Sequence, residues 1–267
     1  MFENFFEKVK NFSTKIKTGN SDKSNNIKNV NIIQTVETGL RPVSTSITPI
    51  EQAVKALKPN QPLVIPQDVK KFELETSHQF NWQRNNKIVE GISPSSQCGY
   101  TTIAVVLSED IPEAKDDKFI AEMIAKFEPG FATGTKSRFA LRMDNHVKIY
   151  EYYLQKYAIK KRVKFFPYGG TFVDIMYALQ NNNAVELAGM MTPSGHFMPC
   201  CGFSQVKNAL KIHDPWAKFD FKTGKYTSQS GENSWYAWDD FFPYLEKSSL
   251  AATGKKGIRM LYLEDIK

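Results

Sequence analysis

The sequence lacks any run of about eighteen consecutive apolar residues, the minimum for a helix that crosses a bilayer, so no membrane-spanning helix is expected. It also lacks the basic start and run of about seven apolar residues that mark a secretory signal. Met1 to Lys10 instead interleaves Phe with Glu, Asn and Lys, and synthesis in the cytoplasm without a signal peptide is the expectation. Cysteine is scarce: there are three, and Cys200 and Cys201 are neighbours. A bridge between neighbours is strained, which excludes a disulfide framework and fits a reducing compartment. No paired C-x-x-C, no H-E-x-x-H and no carboxylate cluster at ligand spacing occurs, and the glycines form no phosphate loop; neither metal nor cofactor is expected.

Charge of one sign is in excess, with a formal net charge of +7. Such a field favours anionic surfaces in general, including nucleic acid, acidic lipid and cell-wall polymer. Without a zinc-finger, recognition-helix or Arg-rich pattern, no specific nucleic-acid partner is expected.

What is present divides near residue 60. Residues 1 to 60 carry nine basic and five acidic side chains, and Thr18 to Lys28, rich in Asn, Ser, Lys and Gly, reads as a flexible linker. Ahead of it Phe2, Phe5, Phe6, Val9, Phe12 and Ile16 recur at three- and four-residue spacing, so a short amphipathic helix is predicted. Residues 1–20 either pack on their own protein or dock to a partner or a membrane surface. Residues 61 to 267 hold all four tryptophans and read as one globular domain.

Within that domain Thr101 to Leu107 predicts a buried helix, followed by a polar, acidic connection through Asp117. Ser137 to Tyr157 predicts a long amphipathic helix capped by Thr135 or Ser137, and Thr171 to Gln180 a second one with a Thr cap. Four short apolar runs, Ala184 to Met190, His196 to Phe203, Ala209 to His213 and Ile258 to Leu263, read as strands. Helices first and strands later favour a segregated α+β fold, with an N-terminal helical half packed on a C-terminal antiparallel sheet.

Cys98 stands at the head of the predicted buried helix, where free N–H groups and the helix dipole favour a thiolate; a small buried apolar cysteine is the competing reading. Gly99 lets a substrate approach the backbone, and the Cys98 N–H is a candidate oxyanion donor. His196 follows Pro193-Ser194-Gly195 and opens a strand, whereas His78 and His146 read as satisfied or exposed histidines. His213 ranks below His196, because strand alternation aims it away from Asp214. Asp214-Pro215-Trp216 closes the strand after that of His196, so antiparallel pairing makes Asp214 and His196 neighbours and lets the carboxylate orient the imidazole. For Asp214 alone, an ordinary Asp-Pro turn is the competing reading.

Together these residues give a Cys98, His196, Asp214 order. With Trp82-Gln83-Arg84-Asn85-Asn86-Lys87, Cys98-Gly99-Tyr100-Thr101-Thr102, Gly195-His196-Phe197, Cys201-Gly202-Phe203 and Asp214-Pro215-Trp216, the chain resembles papain-like cysteine peptidases related to the bacteriocin-leader-processing domain, especially their stand-alone bacterial and phage members. The resemblance covers roughly Phe80 to Tyr244. It implies a papain-like fold, a thiol protease and a glutamine donor to the oxyanion, matched by Gln83 with Gln97 in reserve. It places Gly99, Gly195 and Trp216 on the substrate side. It departs at Pro199-Cys200-Cys201, where Pro implies an edge or a bulge, at Trp216-Ala217-Lys218, and at Glu113 to Thr135, which reads as an insertion near the cleft. Stand-alone relatives are often cell-wall hydrolases. The resemblance and the positive charge therefore point to a peptidoglycan hydrolase of endolysin or virion-associated type, acting on stem peptides of an anionic wall after lysis or carriage in a virion. A peptide- or leader-processing protease and a non-catalytic adaptor docking through its N-terminal helix are the alternatives.

Overall fold

The computed structural model describes residues 73–130 and 138–266. The predicted extension over residues 1–60, the start of the domain at 61–72, and the Thr135 and Ser137 caps lie outside them.

The described residues form an α+β domain. Helix α1 (Cys98–Leu107) has its last nine residues buried, as a helix apolar all round must. Helix α2 (Asp117–Phe127) is capped by Asp116, whose carboxylate accepts from the Lys118 N–H at 2.8 Å, and buries Phe119, Ile120, Met123 and Ile124 on one stripe. The polar, acidic connection expected through Asp117 leads directly into this helix.

The long helix expected from Ser137 begins only at Met143: α3 spans Met143–Lys156. The cause is Glu128, which accepts the N–H groups of Phe139 at 2.8 Å and Ala140 at 3.1 Å. Those donors are drawn away from a helical path, and Phe139–Leu141 forms a separate 3-10 turn.

Next come β2 (Lys161–Gly170), α4 (Phe172–Gln180), β3 (Val185–Gly189), β4 (His196–Ser204) and β5 (Ala209–Ile212). Thr171 caps α4 in a reciprocal box with Asp174, as its sequence predicts. The two-residue strands β6 (Phe219–Asp220) and β7 (Lys225–Tyr226) pair with each other. After them β8 (Ser234–Ala237) leads directly into α5 (Trp238–Thr253), and β9 (Ile258–Asp265) follows. The chain is thus less segregated than expected, with β2 preceding α4 and α5 following β8.

The main sheet is antiparallel in the order β2-β9-β3-β4-β5-β8. The short strand β1 (Glu73–Glu75) pairs with Gly202 to Ser204 of β4. Since β5 holds one edge of β4 there, β1 takes the other, continuing where β3 ends. Pro199 lies within this central strand, opposite Glu186 of β3, not on an edge. The bulge its sequence implied follows at once, as a register shift between Cys200 and Gly202.

Alternation divides the core. Ala188, Phe197, Cys201, Leu261 and Leu263 pack with α1, α2 and α3. Val185, Leu187, Met198, Phe203 and Met260 pack with α4 and α5. The expected helical half covers one face of the sheet, and the later helices cover the other.

Candidate active site

Three elements deliver the site. Helix α1 begins at Cys98, whose N–H belongs to the first turn and has no intrahelical acceptor. Strand β4 begins at His196, and Asp214 lies two residues beyond β5. The pairing of Cys200 with Ile212 carries the start of β4 towards the chain that follows β5. His196 Nε2 consequently lies 2.8 Å from Asp214 Oδ1.

Asp214 is fully buried and surrounded by donors. Its Oδ1 also accepts the Trp216 N–H at 3.0 Å, and its Oδ2 the hydroxyls of Tyr236 at 2.9 Å and Tyr226 at 3.4 Å. Four donors fix the carboxylate, so it can hold the His196 ring in one orientation.

With Nε2 turned to Asp214, the other side of the His196 ring meets Cys98, which stays partly exposed. Burial works against charge on His196, yet the charge and hydrogen bond of Asp214 outweigh it and, with Cys98, push its pKa to about 10. Burial likewise opposes the Cys98 thiolate. A hydrogen bond and charge from His196, the Phe197 N–H and charge from His146 nevertheless hold the thiol below its ordinary value. Both directions favour a thiolate beside an imidazolium.

Gln83 is buried on a 3-10 turn over Gln83–Asn85, and that turn docks on the loop after Asp214. The Gln83 N–H donates to Pro215 O at 3.0 Å and Trp82 Nε1 to Trp216 O at 3.0 Å. The Arg84 guanidinium lies 4.5 Å from the centre of the Trp216 ring. Gln83 Nε2 donates one hydrogen to Pro94 O at 2.6 Å, and its amide carries a second. Gln97 is engaged differently, since its Nε2 donates to Lys87 O at 2.8 Å and Ile92 O at 2.9 Å. Both its amide hydrogens tie down the preceding loop, which leaves none for an oxyanion.

Gly99 also has another occupation than expected. It is buried, and a Cβ there would stand 2.9 Å from the ring of His146, so the close approach it permits is that of a side chain and not of a substrate. Gly195, at φ +83°, turns the chain into β4, and a Cβ there would meet Gly189 O and Met190 Sδ at an uncrowded 3.8 Å. His213 points away from the triad: Asn233 N–H donates to its Nδ1 at 3.2 Å, and its ring meets Phe80. Among the described residues no group of three His, Cys, Asp or Glu side chains is arranged to hold a metal.

Sequence reasoning did not reach Tyr226, Tyr236 or Glu186. The first two come from β7 and β8, which carry too few residues for a readable period. Glu186 did leave a signal, as the lone charge in an apolar run.

Residues 78–240 match the Peptidase_C39 like family. No curated protein matches the chain.

Proposed function

On the premise that this chain belongs to the Peptidase_C39 like family and is a papain-like cysteine peptidase, we propose that it hydrolyses amide bonds with Cys98 as nucleophile, His196 as acid and base, and Asp214 as the group that orients His196. The observation that carries this reading is the chain of contacts from the Cys98 sulfur to His196 and from His196 to Asp214 at 2.8 Å.

The Cys98 thiolate attacks the substrate carbonyl carbon and forms a C–S bond while the carbonyl oxygen takes up negative charge. The free Cys98 N–H and the second amide hydrogen of Gln83 are the donors assigned to that oxygen. His196 gives its proton to the leaving nitrogen as the C–N bond breaks, leaving a thioester. Water then loses a proton to His196 and attacks the thioester, which releases the acid and restores the thiolate. Asp214 keeps Nε2 occupied throughout, so the proton moves only at the other nitrogen. Gly195, beside the base, and Trp216, which holds Arg84 against its ring, line the substrate side in this reading.

For the substrate, the family supports a peptide, and the net charge of +7 favours an anionic matrix around it. Stem peptides of peptidoglycan, embedded in anionic wall polymer, meet both conditions, and a phage lytic role is the biological setting we assign. The test is incubation of bacterial cell walls with the full chain and with Cys98→Ala, with mass spectrometry of the released fragments. Clearing by the parent alone, with one amide cut, is the expected result. Cleavage of soluble peptides without wall clearing would transfer the reading to a processing protease. No cleavage, together with ordinary alkylation of Cys98, would leave a binding adaptor.

A further inference from the structure

The triad makes no use of a second buried ionisable cluster. His146 and Tyr150 of α3 and Glu186 of β3 are all without solvent exposure. His146 Nδ1 lies 2.5 Å from Glu186 Oε1, its Nε2 lies 3.0 Å from the carbonyl oxygen of Ala140, and the Tyr150 hydroxyl donates to Glu186 Oε2 at 2.8 Å. A carbonyl oxygen only accepts, so Nε2 carries a hydrogen. At Nδ1 the charge and hydrogen bond of Glu186 raise the His146 pKa against the effect of burial, the direction that leaves a hydrogen on Nδ1 as well. A ring with hydrogens on both nitrogens is an imidazolium, and Glu186 supplies the counter-charge that burial requires.

This ring lies beneath the nucleophile. A Cβ at Gly99 would stand 2.9 Å from His146 Cε1 and Nε2 and 3.1 Å from the Ala140 oxygen, so the ring sits against the first turn of α1. It also packs on Phe197, ring centres 4.6 Å apart, and the Phe197 N–H is a donor to the Cys98 sulfur. The same cation therefore touches the residue after the nucleophile and the residue after the base.

Building on the reading of Cys98 as nucleophile, we propose that His146 is a positioning residue: a buried imidazolium, held by Glu186 and Tyr150, that stabilises the Cys98 thiolate from below and seats the first turn of α1 against Phe197. It touches no substrate. The groups facing it are Glu186 from β3, Tyr150 from its own helix and Cys98 from α1; Arg259 of β9 acts on Glu186. Cys98 faces His196 from β4 and Tyr226 from β7 besides His146. The His146 charge acts on Cys98 in the same sense as that of His196, lowering its pKa.

The test is the rate of Cys98 alkylation by iodoacetamide against pH, read by peptide mapping in the full chain, in His146→Gln and in Glu186→Gln, with circular dichroism to verify folding. The parent midpoint is expected below that of an ordinary thiol. Both variants are expected to raise it by about one unit, which slows alkylation roughly tenfold at pH values below the parent midpoint. A merely structural role would leave the midpoint of folded variants in place, and that result overturns the inference while keeping Cys98 as nucleophile. An ordinary midpoint in the parent overturns the nucleophile reading itself, and this inference with it. Nitrogen-15 spectra of the parent's histidines need no variant: His146 is expected with both nitrogens protonated across the neutral range, and a neutral tautomer there overturns the proposal.

Discussion

His196 Nε2 and Asp214 Oδ1 stand 2.8 Å apart because β4 and β5 are antiparallel: beyond the Cys200–Ile212 pair the first residues of β4 run beside the chain leaving β5, where Asp214 lies two residues past the strand. Asp214→Asn removes the charge and exchanges one of the two acceptor oxygens for an NH2 donor: one oxygen remains for the His196 ring and the Trp216 N–H, while the Tyr226 and Tyr236 hydroxyls lose their acceptor. The His196 pKa should fall from about 10 towards the ordinary histidine value, and amide hydrolysis should slow by about a hundredfold or more with KM little changed. Imidazole titration by NMR and steady-state kinetics check the two halves separately.

Tyr236 holds Asp214 from the other side and, through the same oxygen, accepts the buried Phe219 N–H at 2.9 Å. Tyr236→Phe loses the donor to the carboxylate and strands that N–H, so unfolding free energy should drop by about 1–3 kcal/mol. Activity should fall less than in Asp214→Asn, because Tyr226 and Trp216 still hold the carboxylate. Urea denaturation beside kinetics separates the two effects.

His78 and His213 are buried and held neutral, each with its pKa lowered to about 4, first by burial and then by the charges of Lys161 and Lys211 respectively. Between about pH 6.5 and 4 the unfolded chain binds protons that the folded chain refuses, so stability falls as pH drops through that window and the loss levels off below it. Each contributes up to roughly 3 kcal/mol. His196 has the opposite sign: its stabilising contribution is complete below about pH 6.5 and is lost as pH rises through about 10. Urea midpoints across this range should decline on the acid side, and less steeply in His78→Gln and His213→Gln.

Gly195 combines φ +83° with no atom outside its chain neighbours nearer than 3.8 Å to the place of a Cβ. The cost of Gly195→Ala is then conformational, about 1 kcal/mol, a fall in Tm of a few degrees. The added methyl rests at ordinary contact distance from Gly189 O and Met190 Sδ, on the side assigned to the substrate, so KM should rise while kcat holds. Calorimetry and kinetics on the same preparation test both.

Cys98, His196 and Asp214 could be read together because each stands at the boundary of an element with a clear period: a buried helix and two apolar strands. The α4 cap was legible for the same kind of reason, since Thr171 and Asp174 act within one turn. Strand β2 was not, because it mixes Lys and Arg with Pro167 and two glycines and is only half buried. Helix α5 was hidden by Pro243 inside it. The start of α3 depended on Glu128, a carboxylate eleven residues before Phe139, and no local pattern announces such a contact. His146 reads in the sequence as a satisfied or exposed histidine because its partner Glu186 lies forty residues away on another element.

Strand β1 has a mechanical consequence. Its three residues are zipped to the far half of the strand that starts with His196, reinforced by Ser204 on Glu73 and Lys211 on Glu75. Tension applied through the chain upstream of Glu73 therefore loads Gly202 to Ser204 first. The bulge between Cys200 and Gly202 lies between that attachment and the stretch that carries the base. Pairing with β4 thus takes up a pull on the upstream chain before it reaches the Gln83 turn, which docks on the loop after Asp214, and so shields the site from tension while β1 stays paired.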